Sequence, residues 1–177
     1  GIYAFKAELD DLAFRYIKPD VFFELEKKVK AVRASQEQQM HEIMDIIRGK
    51  LEQVNMKADF EGRPKTIYSI YKKMVEQEKP FEEIYDLTAI RVIVESVKDC
   101  YTVLGIIHTL WKPLPGRFKD YIAVPSKNMY QSLHTTCLGN SGIPFEVQIR
   151  TYDMHRTAEY GIAAHWKYKE KRSGQTD

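Results

Sequence analysis

The sequence predicts an α+β fold: a mixed β-sheet flanked by helices, with an N-terminal helical segment in front. Two observations lead there. Apolar residues recur at helical spacing as far as about residue 54. Beyond it, β-branched and alternating runs interleave with further helical patterns and turn signals.

In the helical segment Leu9, Leu12 and Ala13 recur at helical spacing, Pro19 interrupts, and Asp20 reads as the N-cap of a new start. Phe22, Leu25, Val29, Val32, Met40, Ile43, Ile47 and Leu51 form one long stripe, with Glu24, Lys27, Lys28, Lys30, Glu37 and Glu42 opposite. This is a helix or helical pair packed on the rest, or a linker arm from a neighbouring domain. Val54 to Phe60 alternates like a strand, and Glu61-Gly62-Arg63-Pro64 reads as a turn with Pro64 at the first helical position. Ile67, Ile70, Tyr71 and Met74 continue that helix. Ile84 to Glu95 reads as a central strand and Asp99 to Trp111 as a helix. Pro113-Leu114-Pro115-Gly116 is a loop. Phe118 to Val124, Gln131 to Leu138 and Phe145 to Thr151 read as strands, and Tyr152 to Tyr168 as a last helix. The expected division is a helical segment over 1–54, the main domain over 55–168 and a disordered polar tail over 169–177.

Composition narrows the class. The chain has 177 residues, 27 Lys+Arg against 25 Asp+Glu, and 44% hydrophobic residues, the balance of a globular protein with a real core. A net charge of +2 argues against a bulk nucleic-acid binder. No run approaches the ~20 apolar residues of a membrane helix, and the first residues lack a signal-peptide layout. The expected location is the cytoplasm, with Cys100 and Cys137 as buried reduced thiols. The chain opens on Gly1 rather than Met, so a fragment of a longer protein is expected.

Five constellations could carry chemistry. Gly62-Arg63-Pro64-Lys65 with Ser69, Lys72 and Lys73 places two ammonium groups and a hydroxyl on one stripe beside free amides at a helix start. That suits a polyphosphate, although an ordinary solvated lysine face reads the same way. Asp86 and Arg91 lie in an apolar strand and each needs a counter-charge: each other, or for Asp86 a metal ion. Strict alternation puts Glu146, Gln148 and Arg150 on one face of their strand, either solvent-facing or the floor of a site. If Asp86 and Glu146 meet on neighbouring strands, they can hold Mg²⁺. Arg117-Phe118-Lys119-Asp120-Tyr121, Lys127-Asn128 and Tyr130-Gln131-Ser132-Leu133-His134 mix cations, rings and amides as a nucleotide site does, and as a twisted basic hairpin also would. His155 and Glu159 share a helix face, as a hydrogen-bonded pair or two metal ligands.

Taken in order, Gly62 to Lys65, Ser69 to Lys73, Tyr85-Asp86-Leu87 with Arg91, Gly116 to Tyr121, Tyr130 to Thr135, Glu146 to Thr151 with Met154-His155, and Ala163-Ala164-His165-Trp166 resemble the synthetase domain of the RelA/SpoT family. Even Glu8 to Tyr16 is similar to the segment joining that family's hydrolase and synthetase domains. The resemblance implies a nucleotidyltransferase-like sheet. It also implies transfer of the β,γ-pyrophosphate of ATP to the 3′-hydroxyl of GTP or GDP, giving pppGpp or ppGpp and AMP. By resemblance Arg63 and Arg91 clamp adenine, and Lys65, Ser69 and Lys73 contact the ATP phosphates. Asp86 is the Mg²⁺ ligand, and Glu146 the second acid, deprotonating the 3′-hydroxyl or sharing the metal. Tyr130 stacks on guanine, while Arg117, Lys119, Lys127, Asn128, His134 and Gln148 serve the acceptor nucleotide. The basic run Arg117 to Asp120 is similar to the bifunctional class, and ribosome contact is an implication for a full-length protein.

Two positions depart from the family's Pro-Lys-x-Asn-Gly-Tyr pattern: Ser126 stands where Lys belongs, and Met129 where Gly belongs. A positive φ at Met129 would be costly. These departures keep a second reading open, a catalytically silent nucleotide-binding regulatory domain of a mainly hydrolytic protein. An RNA-binding module is a third, which would show steep salt dependence.

Overall fold

The computed structural model describes residues 2–84, 87–126 and 129–160. Asp86, Lys127, Asn128 and the segment from 161 onward, with Ala163-Ala164-His165-Trp166 and the expected tail, lie outside the described residues. The fold is α+β.

Helices α1 (Ile2–Ile17) and α2 (Pro19–Gln53) form the N-terminal segment. Pro19 opens α2 at its first turn, where a missing N–H costs nothing, and Asp20 lies inside that turn rather than capping it. α2 is one unbroken helix of 35 residues. Its stripe feeds two clusters. Phe22, Leu25 and Val29 pack with Phe14, Ile67, Ile70, Phe81, Ile84 and Leu87. Further along, Ile43, Ile47 and Leu51 join the main core beneath the sheet. Side chains of this size each contribute ~1.5–3 kcal/mol when fully buried.

Strand β1 (Asp59–Pro64) starts later than the sequence suggests, and Gly62-Arg63-Pro64 belongs to it rather than to a turn. β1 is an edge strand, which tolerates Pro64 because the outer side of an edge asks for no ladder donor. Helix α3 (Ile67–Glu76) therefore begins three residues after Pro64, with Thr66 as its N-cap accepting from the Ser69 amide at 3.1 Å. Lys65 consequently sits in the connection, not on the helical stripe with Ser69 and Lys73. A short 3₁₀ turn (Phe81–Glu83) precedes β2 (Thr88–Val94). Ser96 then caps α4 (Val97–Leu110).

The remaining strands are β3 (Lys112–Pro113), β4 (Lys119–Asp120), β5 (Leu133–Leu138) and β6 (Pro144–Thr151), and α5 (Tyr152–Tyr160) follows. The expected strand over Phe118 to Val124 shrinks to two residues. The Asp120 carboxylate accepts from the Ile122 and Ala123 amides at 3.0 and 2.8 Å, which folds the chain into a turn.

The sheet order is β1-β2-β6-β5-β3, with β4 also on β5. β2 and β6 run parallel and the other pairs antiparallel, so the sheet is mixed. One face buries Ile90, Val92, Leu133, Cys137, Val147 and Ile149 against α4 and the second half of α2. Cys100 and Cys137 are buried free thiols, as expected. The opposite face carries the polar residues.

Candidate active site

Register explains how the polar face is assembled. Residues paired across strands share a face. Glu61 pairs with Arg91, Arg91 with Gln148, Gln148 with His134, and His134 with Lys119. Five strands thus lay one polar row across the sheet. The adjoining row holds Arg63, Ala89, Glu146 and Thr136. The alternation of Glu146, Gln148 and Arg150 places them on this face, which is the floor of a site.

Glu146 lies at its centre, only 9% exposed. Its Oε2 accepts from the Lys65 ammonium at 2.9 Å, and its Oε1 from the Gln148 amide at 2.9 Å. The His134 ring stands 3.9 Å away. Burial pushes the carboxyl pKa up, but the Lys65 charge, those two hydrogen bonds and His134 prevail and hold it below the ordinary range. Glu146 is ionised at neutral pH.

Lys65 reaches this position because its connection is pinned. Its amide donates to the Leu87 carbonyl at 2.9 Å. The Arg33 guanidinium, from the middle of α2, donates to the carbonyls of both Lys65 and Leu87. The start of α3 is occupied rather than free. Asp11 of α1 accepts from the Ile67 and Tyr68 amides at 3.2 and 2.8 Å, and Thr66 takes the Ser69 amide. The expectation of open amides for a polyphosphate is therefore corrected: a carboxylate from another helix already satisfies this helix end. Ser69 is exposed and its hydroxyl donates to the Thr66 carbonyl; Lys73 is half-buried on the same helix.

On one side of Glu146 stand Arg63 and Arg91. Arg91 is buried and donates to Glu61 at 2.7 Å and to Gln148 at 3.2 Å, with Glu159 of α5 at 3.7 Å. These partners answer its charge. Burial, then the neighbouring Arg63, lowers its pKa. Among the described residues His155 and Glu159 do not form the expected pair: Nδ1 of His155 is buried without a hydrogen-bond partner, and Glu159 turns to Arg91.

On the other side stand Tyr130, His134, Tyr121 and Lys119. The Tyr130 hydroxyl bonds to Nε2 of His134 at 2.7 Å, and Tyr121 meets both rings edge-on. Burial, against the pull of Glu146, depresses the His134 pKa to about 4, so the ring is neutral at pH 7 and Nε2 can accept from Tyr130. Met129, just before Tyr130, has φ 58, the left-handed conformation the sequence flagged as costly for a non-glycine. The loop closes through hydrogen bonds from the Met129 amide to Ser126 and from the Ser126 amide to Tyr130. Lys119 and Arg117 are exposed at the rim.

Among the expected site residues, the fold gathers Arg63, Lys65, Arg91, Glu146, Gln148, His134 and Tyr130 on one face. Ser69, Lys73, Lys119 and Arg117 stand around it. Asp86, Lys127 and Asn128 lie outside the described residues, and so does the expected meeting of Asp86 with Glu146. Among the described residues no group of three or more His, Cys, Asp or Glu could hold a metal ion. Sequence reasoning missed Glu61, Arg33 and Asp11, whose partners lie 30 to 57 residues away.

A family profile described as "Region found in RelA / SpoT proteins" matches residues 62–173. The chain is 50% identical over 173 residues to a GTP pyrophosphokinase of Myxococcus xanthus, covering 98% of this chain and 23% of that protein. It is 51% identical over 171 residues to a probable guanosine-3′,5′-bis(diphosphate) 3′-pyrophosphohydrolase of Synechocystis, covering 96% and 22%. With the bifunctional (p)ppGpp synthase/hydrolase SpoT of Escherichia coli it shares 48% over 170 residues, covering 96% and 24%. The chain thus spans under a quarter of the length of these relatives. Among solved structures, small alarmone synthetase 1 from Bacillus subtilis, bound to its product pppGpp, has the same fold: TM-score 0.61, 24% identity, 81% of this chain and 83% of that one covered.

Proposed function

The chain belongs to the RelA/SpoT family, and from that premise we propose that it synthesises (p)ppGpp, moving the β,γ-pyrophosphate of ATP onto the 3′-hydroxyl of GTP or GDP. One observation carries the reading. The ionised Glu146 stands between two chemically different halves of one sheet face, a guanidinium pair on one side and a Tyr–His–Lys group on the other. That is the layout a two-nucleotide reaction needs, with a base where the substrates meet.

In this reading Arg63 and Arg91 clamp adenine, Arg91 turning out from Glu61 and Gln148 to do so, and Lys65, Ser69 and Lys73 take the ATP phosphates. Tyr130 stacks on guanine, and Arg117, Lys119, Lys127, Asn128, His134 and Gln148 serve the acceptor nucleotide. The Glu146 carboxylate accepts the 3′-hydroxyl proton. The 3′-oxygen forms a bond to the β-phosphorus of ATP, the bond from that phosphorus to the AMP oxygen breaks, and AMP leaves with the electron pair. As ATP phosphates draw Lys65 away, Glu146 loses its nearest cation and its carboxyl becomes more basic. Substrate binding therefore arms the base. In its alternative role Glu146, an ionised oxygen donor, would share a Mg²⁺ with Asp86 instead of taking the proton. When bound, Mg²⁺ neutralises charge on the transferred pyrophosphate. Substrates of this kind place the work in the cytoplasm. No helix among the described residues is long and apolar enough to cross a membrane.

The test is to incubate the chain with ATP, GTP and Mg²⁺ and separate the nucleotides by chromatography. Guanosine pentaphosphate and AMP in equal amounts are expected. ATP bound with no product formed would replace this reading with the silent regulatory domain, which the strained Met129 favours.

A further inference from the structure

Three arginines, Arg63, Arg91 and Arg150, influence one another beneath one end of the polar face. Arg91 has Glu61, Gln148 and Glu159. Arg150 is fully buried, and among the described residues its Nε, Nη1 and Nη2 have no hydrogen-bond partner; the Glu61 charge attracts it without bonding it. Burial, then Arg91, drives its pKa down to about 10, so it stays charged at neutral pH. A buried guanidinium that makes no hydrogen bond and is only partly offset by Glu61 works against folding. The feature that faces it is the ring of Tyr130, whose centroid lies 5.7 Å from the guanidinium carbon.

His134 bonds the Tyr130 hydroxyl, and the rings of His134 and Tyr121 stand steeply to the Tyr130 ring, at 5.5 and 6.0 Å between centroids. Arg150 meets a face of the ring. We propose that Arg150 is a positioning residue for the acceptor nucleotide: it fixes the plane of Tyr130 from one face and so presents the opposite face to the base. This rests on the reading that Tyr130 stacks on guanine. The planar, delocalised guanidinium suits a flat ring, and its charge strengthens the contact in a desolvated site.

The test uses the full chain and a double-mutant cycle. GDP affinity is measured by calorimetry for wild type, Arg150→Met, Tyr130→Ala and the double variant, with thermal melts alongside. Arg150→Met is expected to weaken GDP binding about tenfold. The double variant should bind no more weakly than Tyr130→Ala alone, because one residue acts through the other. The midpoint of Arg150→Met should equal or exceed that of wild type, since a buried unpaired charge has gone. Wild-type GDP affinity in Arg150→Met would overturn the proposal. So would losses that simply add, or a lowered midpoint with ATP and GDP binding falling together, which is a structural role. If Arg150→Met does not fold, Arg150→Lys runs the same cycle, keeping the charge and losing the flat plate. If Tyr130→Ala leaves GDP affinity unchanged, the assignment of Tyr130 itself fails, whatever Arg150 does.

Discussion

The Lys65 ammonium lies 2.9 Å from the Glu146 carboxylate, joining residues 81 apart in the chain at the centre of the polar face. The Lys65 charge helps to hold the carboxyl ionised, and under the proposed reaction it keeps the base weak until Lys65 is drawn elsewhere. Glu146→Gln keeps the shape and a hydrogen-bond acceptor but removes the proton acceptor. Synthesis should fall by about 10²–10⁴, while ATP affinity, read by calorimetry, stays within a few-fold of wild type. Undiminished turnover would take Glu146 out of the chemistry.

His134 makes stability sensitive to acid. Its folded pKa is about 4 against an ordinary 6.5. Between these values the unfolded chain binds a proton that the folded chain refuses, so acid favours unfolding. The contribution is complete above pH 6.5 and disappears as pH falls towards 4. Melting midpoints taken across this window should decline with acid, and His134→Asn should flatten the decline. Glu146, also depressed, adds to the loss below its ordinary 4.5.

Met129 holds a left-handed backbone just before Tyr130. Met129→Gly removes the side-chain clash and adds freedom to the unfolded chain, so the net gain is modest, about 0.5–1 kcal/mol. Denaturant melts should show it as a higher midpoint with an unchanged slope. A lower midpoint would mean that the Met129 side chain contributes contacts worth more than the strain.

Asp11 caps a helix it does not belong to. Asp11→Ala strips two amides of their acceptor and should cost about 1 kcal/mol in a denaturant melt. Because α3 follows directly from Lys65, the KM for ATP should rise more than that for GTP. Equal changes in both would show that the cap has no preferential link to the proposed ATP half.

Much of the fold was legible because period and composition report local structure. The 3.6-residue stripe of α2 and the strict alternation of Phe145 to Ile149 each specify an element and its buried side. The β1 boundary was not legible. Gly62 and Pro64 are turn formers in isolation, and only the pairing of Gly62 with Ile90 and Pro64 with Thr88 makes them strand. The same limit hid the partner of Arg91. Sequence proximity offered only Asp86, which lies outside the described residues, and the ladder adds Glu61 and Gln148 beside Arg91. Cap and anchor residues such as Asp11 and Arg33 act through tertiary contacts that leave no periodic trace.

α2 supplies side chains to both hydrophobic clusters, with Arg33 fastened to the Lys65 connection between them. At 35 residues it is roughly 50 Å long, a single spine shared by two cores. Neither core can melt while the other keeps its full complement of side chains. Denaturation should therefore be cooperative, and Tyr68 and Tyr71 beside one core should report the same midpoint as Trp111 within the other.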